Sequence, residues 1–131
     1  MKKTIILKIA AIISFLIIVF PGPHVVLVNF IVIPLILFDN VTSIWIDTID
    51  FGTIKNIILS SLTLLSLIVI FKKNKYFVLA CFIVQYLWLC STFNNQNLSS
   101  SYYLTTVGLY FIVSLILLLN TLLVNIKQSL V

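Results

Sequence analysis

The chain carries three aspartates and no glutamate, and all three acids lie between Asp39 and Asp50. Carboxylates gathered in this way can hold a divalent cation or attract a basic partner. The segment lacks the ligand spacing and the central glycine of a calcium-binding EF-hand, so we expect no metal site. The simplest interpretation is a solvated helix face. The functional interpretation is a docking face, for which the candidate partner-binding residues are Asp39, Trp45, Asp47 and Asp50.

The two cysteines and the single histidine do not form a reactive set. Cys81 and Cys90 are nine positions apart, which is about 13.5 Å along a helix and on opposite faces, whereas a disulfide needs Cα atoms within about 7 Å. We interpret both as small buried side chains. His24 alone cannot build a haem or metal site. Without Glu, Arg or a Gly-rich phosphate loop, the chain is predicted to be no enzyme and to bind no cofactor.

Uncharged polar residues recur at helical spacing within three apolar stretches, which puts the polar residues of each stretch on one helix face. Inside lipid, such faces are the seams by which helices pack and hydrogen-bond to one another. A polar path for a substrate would use the same side chains, but these stretches hold no ionisable residue at mid-depth, as proton-coupled transport usually requires. We therefore predict a helix-packing polar seam formed by Asn56, Ser60, Thr63, Gln85, Ser114, Thr121 and Asn125.

The composition indicates which kind of fold must position these residues. The chain is 62% hydrophobic and 8% charged, with a mean hydropathy of +1.26, whereas a soluble domain carries about 25% charged residues. Lipid must therefore cover much of a single integral membrane domain over residues 1–131. The net charge of +5 comes from lysine alone, and without the bidentate contacts of arginine we expect no nucleic-acid binding. The abundance of Ile, Asn and Lys is typical of an AT-rich, bacterial genome.

Three apolar stretches are long enough to cross a membrane as helices. They are residues 54–71, 76–93 and 102–124, with 18, 18 and 23 residues, and a crossing requires ~17–25. The turns between them are short, so we expect three antiparallel neighbouring helices.

The first 38 residues allow two arrangements. Ile5–Phe20 is short and contains Lys8, whose side chain is expected to snorkel to the headgroups. A helix break at Pro21-Gly22-Pro23-His24 separates it from Val25–Phe38, which contains Pro34. If both pieces cross, the eight lysines divide four and four between the two sides; if the pair crosses once, they divide seven and one. The positive-inside rule favours the single crossing.

We therefore predict four crossings with both termini in the cytoplasm. The first covers about residues 5–20, and residues 25–38 either form a re-entrant or interfacial outer segment or extend the first crossing as a kinked helix. A cleaved signal peptide is less suitable, because no small-x-small site follows Phe20. Residues 39–52, wound as a helix, place the acids opposite Ile44, Trp45 and Ile49, as in an amphipathic segment at the outer interface.

These features predict an all-α polytopic membrane protein, a four-helix transmembrane bundle with a Pro-broken first hairpin or re-entrant segment. We expect a non-enzymatic protein of the bacterial cytoplasmic (inner) membrane. It would bind another membrane component besides the lipid bilayer, as an accessory or assembly subunit or as an immunity protein, or it would form a homo-oligomer. The alternative is a small oligomeric transporter or a channel or pore former.

Overall fold

The computed structural model describes residues 2–21, 27–46 and 50–129 of the chain, and these residues are mostly helical. Six helices and one pair of short strands occur in this part of the chain. In chain order the elements are α1 Lys2–Leu16, β1 Val19–Phe20, β2 Leu27–Val28, α2 Asn29–Ile46, α3 Phe51–Val69, α4 Lys75–Thr92, α5 Asn95–Leu98 and α6 Ser101–Ser129.

Three of these helices are long and apolar enough to span a membrane. They are Phe51–Val69, Lys75–Thr92 and the Ser101–Leu123 part of α6. Each lies within three residues of the crossing predicted for it, because length and mean hydropathy decide such a span without any tertiary contact. The first predicted crossing, about residues 5–20, corresponds to α1, whose 15 residues are fewer than a helical span needs by itself.

Short polar side chains begin the helices that follow each turn. The Asp50 carboxylate accepts the Thr53 N–H at 2.7 Å and caps α3. The Asn74 side chain accepts the Tyr76 N–H at 2.9 Å and caps α4, and Asn94 caps the short helix α5 in the same way. Such caps satisfy backbone donors that have no partner within the helix. They fix tight turns between α3 and α4 and between α4 and α6.

The first predicted crossing ends earlier than its apolar stretch. Helix α1 stops at Leu16, and Val19–Phe20 is a strand, since β-branched and aromatic residues in front of Pro21 favour extended backbone. Val19 pairs with Val28 in antiparallel register. The chain therefore reverses direction between α1 and α2, and the two do not form one long kinked helix. The rest of the predicted break, residues 22–24, lies outside the described residues.

Helix α2 continues across the boundary predicted between the apolar stretch that ends at Phe38 and the acidic segment that begins at Asp39. It begins at Asn29, contains Pro34 and continues to Ile46. Pro34 is the sixth residue of the helix, so its missing N–H removes a single bond, to the carbonyl of Phe30. The segment expected as one amphipathic helix over 39–52 is instead divided: residues 39–46 belong to α2, Asp50 caps α3, and residues 47–49 lie outside the described part.

The helices pack in two groups. Helix α1 packs along α6, while α2 packs along α3 and α3 along α4. The backbones of α4 and α6 approach each other at fewer positions, and aromatic side chains fill the space between them. The aromatic side chains of the buried core are Phe15, Phe20, Phe82, Trp88, Tyr103 and Tyr110. Large apolar side chains also cover the outside, such as Ile68 at 72% exposure and Leu123 at 60%, as expected of a surface that faces lipid.

Hydrogen bonds define the two ends of the bundle. Lys8 Nζ donates to the carbonyl of Lys72, in the α3–α4 turn, at 2.8 Å, and Asn120 contacts Thr4 at 3.4 Å. We call this the lysine end. At the opposite end, the Val19 N–H donates to the Thr106 hydroxyl at 3.1 Å. The start of α1 and the later part of α6 thus share one end.

Candidate functional site

The predicted docking residues lie near the α2–α3 connection. Asp39 is exposed on α2, and Asp50 is exposed at the start of α3. Hydrogen bonds from Thr53, first from its side chain and then from its backbone N–H, lower the pKa of the Asp50 carboxyl group. Asp47 and the side chain of Trp45 lie outside the described residues. The structure therefore presents two of the four candidate residues on the surface.

Asn56, the first residue of the predicted seam, joins α3 to α2. Its amide donates to the Asn40 side-chain oxygen at 3.5 Å, and the Asn40 amide donates to the carbonyl of Ile36 at 2.7 Å. Asn40 was not predicted, since it lies in the stretch assigned to the acidic face.

The hydroxyl groups of α3 are buried but bond to their own helix. Ser60 donates to the Asn56 carbonyl at 2.6 Å, and Thr63 donates to the Leu59 carbonyl at 2.7 Å. Both side chains are fully buried. Because such a hydroxyl already has a hydrogen-bond acceptor on its own helix, a neighbouring helix can approach closely without supplying one.

Gln85 is the centre of the polar interior. Its amide donates to the Ser66 hydroxyl at 3.1 Å, and its carbonyl oxygen accepts from the Tyr110 hydroxyl at 2.6 Å. Gln85 and Tyr110 are buried, and the Tyr110 ring lies 5.2 Å from that of Phe15. Helices α3, α4 and α6 therefore meet at one amide, and α1 packs against the tyrosine that is bonded to it.

The remaining seam residues lie along α6. The Ser114 and Tyr86 hydroxyls are 2.6 Å apart, and the Tyr86 ring stacks on Phe111 with centroids 5.1 Å apart. Thr121 donates to the Leu117 carbonyl at 2.7 Å. The side chain of Asn125 lies outside the described residues.

Two buried contacts were missed by sequence reasoning. Asn29 is fully buried, donates to the Phe15 carbonyl at 3.0 Å and accepts from the Trp88 indole at 2.9 Å. Lys8 was expected to snorkel outward, yet it is only 6% exposed and reaches inward to Lys72. A cation near the carbonyls at the end of α3 is favourable because the C-terminal end of a helix carries partial negative charge.

A signal for part of the missed network was present in the spacing. Ser66 continues the stripe of Ser60 and Thr63 by three residues, and Tyr110 precedes Ser114 by four. Their burial could be inferred from the helical period. The pairing of Asn29 with Trp88, across 59 positions, has no such local signal.

The surface between α3 and α4 contains a groove of about 530 Å³. Phe51, Ile58 and Leu62 of α3 line one wall, and Leu87, Cys90 and Ser91 of α4 line the other. Cys81 is buried, as predicted, whereas the same prediction for Cys90 was wrong: Cys90 is exposed in the groove, because the two residues lie on opposite faces of α4. Lys55 lies at the end of the groove nearest Asp50.

The walls of this groove are mostly apolar and Lys55 lies at one end, so the groove suits the binding of an apolar segment. Comparison of the chain with protein-family models, with curated protein sequences and with solved structures gives no match.

Proposed function

We propose that this chain is a non-enzymatic integral membrane protein that acts by binding a transmembrane helix of another protein. An accessory or assembly subunit and an immunity protein both act in this way. The observation that carries the proposal is the α3–α4 groove. Its α3 wall extends from Phe51 to Leu62, about 16 Å along the helix axis, which three turns of a partner helix would cover.

The residues of the groove suit such a partner. Helix association in lipid depends on close packing, and small side chains at the interface let two backbones approach. Cys90 and Ser91 supply small side chains on α4. Lys55 in the groove and exposed Asp50, which precedes Phe51 at the groove's end, provide charges by which a correct partner is distinguished from a wrong one. Asp39, exposed on α2, would contact the partner outside the groove.

The polar seam supports packing over transport, the alternative function. A solute that moved along the seam would have to compete with the bonds from Gln85 to Ser66 and Tyr110. Those bonds also stabilise the interior that holds the groove's two helices together.

The proposed topology has four crossings, with both termini in the cytoplasm of a bacterium. Helix α1 supplies about 22 Å, and each extended residue after Leu16 adds about 3.3 Å, close to the hydrocarbon thickness of about 30 Å. The chain then turns back through β2, and α2 is a re-entrant segment on the outer side. The clustering of Lys8 and Lys72 at one end supports this orientation.

Site-specific photocrosslinking in native membranes tests the partner helix. A benzophenone side chain at Ile58, in the groove, is expected to give one discrete protein adduct. The same group at Ile112, which is 59% exposed on α6, is expected to label lipid. The substitution Ser91→Trp fills the groove and should remove the Ile58 adduct.

The matched control is Thr105→Trp, since Ser91 and Thr105 are both exposed and both donate to their own helix. It should leave the Ile58 adduct unchanged. Equal labelling from Ile58 and Ile112 would contradict the proposal. An adduct of twice the chain's 14.9 kDa would identify a second copy as the occupant and would overturn the proposal of a different partner.

A further inference from the structure

A second cleft lies at the lysine end of the bundle, between α4 and α6. Its volume is about 180 Å³. The mouth carries Lys75 and Tyr76. The walls are apolar except for Thr121, and the apolar residues are Val78, Leu79, Leu118 and Leu122. The cleft exists because α4 and α6 are held apart by aromatic side chains farther along the bundle.

The mouth of the cleft is strongly positive. Lys72, Lys73 and Lys75 are all exposed in and beside the α3–α4 turn. The Lys75 ammonium lies 5.3 Å from the centre of the Tyr76 ring, a contact that favours keeping the charge at the edge of the apolar surface. The turn also begins α4, and the N-terminal end of a helix attracts anions.

No carboxylate of the described residues neutralises this charge. Asp50 caps the far end of α3, and the 19 residues of that helix put it about 28 Å away. Asp39 lies on α2 beside Asn40, which contacts Asn56 in the first turns of α3. The acidic and basic groups therefore belong to opposite ends of the molecule.

We infer that this cleft binds one anionic phospholipid from the leaflet that meets the lysine end. An acyl chain lies between Leu79 and Leu122, and the phosphate lies at the mouth beside Lys73 and Lys75. A membrane lipid is the occupant that offers both an apolar chain and a negative group at this depth. The inference does not rest on the proposed partner helix, which contacts the other end of α4, at Leu87, Cys90 and Ser91.

Lipid titration followed by native mass spectrometry of the full chain in detergent tests the inference. Phosphatidylglycerol should bind more tightly than phosphatidylcholine of the same chain length. Each lysine near a headgroup contributes about fivefold in affinity, so Lys73→Gln with Lys75→Gln should remove most of the preference. Lys55→Gln, at the other end of α3, should leave it unchanged.

The apolar walls are tested separately. Leu122→Trp and Leu79→Trp fill the cleft from its two sides and should weaken the binding of both lipids. Leu123→Trp, at an exposed position next to Leu122 on another face of α6, is the matched control and should bind as the wild type does. Circular dichroism verifies that each variant keeps its helix content.

Three results would overturn the inference. Equal affinity for the two lipids would remove the role of the charge. Equal binding by the Leu122→Trp and Leu123→Trp variants would remove the role of the cleft. Displacement of the lipid by glycerophosphoglycerol, which has the headgroup without acyl chains, would show that a soluble phosphate compound is sufficient.

Discussion

Two pairs of buried polar residues, Ser60 and Thr63 on α3 and Gln85 and Trp88 on α4, form opposite kinds of hydrogen bond, although both pairs have the same spacing of three residues. On α3, Ser60 and Thr63 bond to carbonyls of their own helix. On α4, Gln85 and Trp88 bond to side chains of α2, α3 and α6. A polar stripe therefore marks a buried face. The length of its side chains and their donors and acceptors decide whether that face links helices together.

This difference agrees with how closely the helices pack. Helix α3, whose small hydroxyls need no outside partner, packs along both α2 and α4. The space between α4 and α6 is instead filled by Tyr86, Tyr110 and Phe111. Small polar residues favour close approach, whereas amide and phenol groups act as spacers that also hold the helices in register.

The largest effect is expected from Gln85→Leu. The change leaves the buried Tyr110 hydroxyl without its acceptor, which costs about 2 kcal/mol in the free energy of unfolding. Denaturant titration in mixed micelles measures this quantity. In a double-mutant cycle, Tyr110→Phe should cost less in the Gln85→Leu variant than in the wild type. Additive effects would contradict a direct bond between the two side chains.

A smaller effect is expected from Trp88→Phe. The phenyl ring keeps most of the packing but removes the indole N–H from Asn29, at a cost of about 1 kcal/mol. Hydrogen exchange of the Asn29 backbone N–H, which donates to the Ile18 carbonyl, should become about fivefold faster. Tyr102→Phe, at a position 74% exposed, is the control. Unchanged exchange at Asn29 would refute the link.

The smallest effect is expected from Ser60→Ala. The hydroxyl donates only to carbonyls of its own helix, so its removal leaves no buried group without a partner, and the loss should be about 0.5 kcal/mol or less. The same titration measures it. A loss as large as that of Gln85→Leu would show that α3 and α4 do not differ in the way described above.

The three long helices could be predicted from the sequence, because hydropathy and length are properties of each stretch by itself. The polar faces of α3, α4 and α6 also followed from the helical period. The region before α3 could not be predicted in the same way. The inward direction of Lys8 depends on the Lys72 carbonyl, and the position of α2 depends on Asn29 and Trp88. Contacts between such distant positions leave no periodic pattern in the chain.

The Asn29 contact has a consequence for the order in which the protein assembles. Trp88 lies 59 positions after Asn29, and Thr106 lies 87 positions after the Val19 N–H that it accepts. Before Trp88 has been synthesised, the nascent chain has no indole to donate to Asn29. During translation the Asn29 side chain therefore needs water or another temporary partner. The segment synthesised first is therefore among the last to form its native contacts. Maturation of this end must wait for the C-terminal half to enter the bilayer.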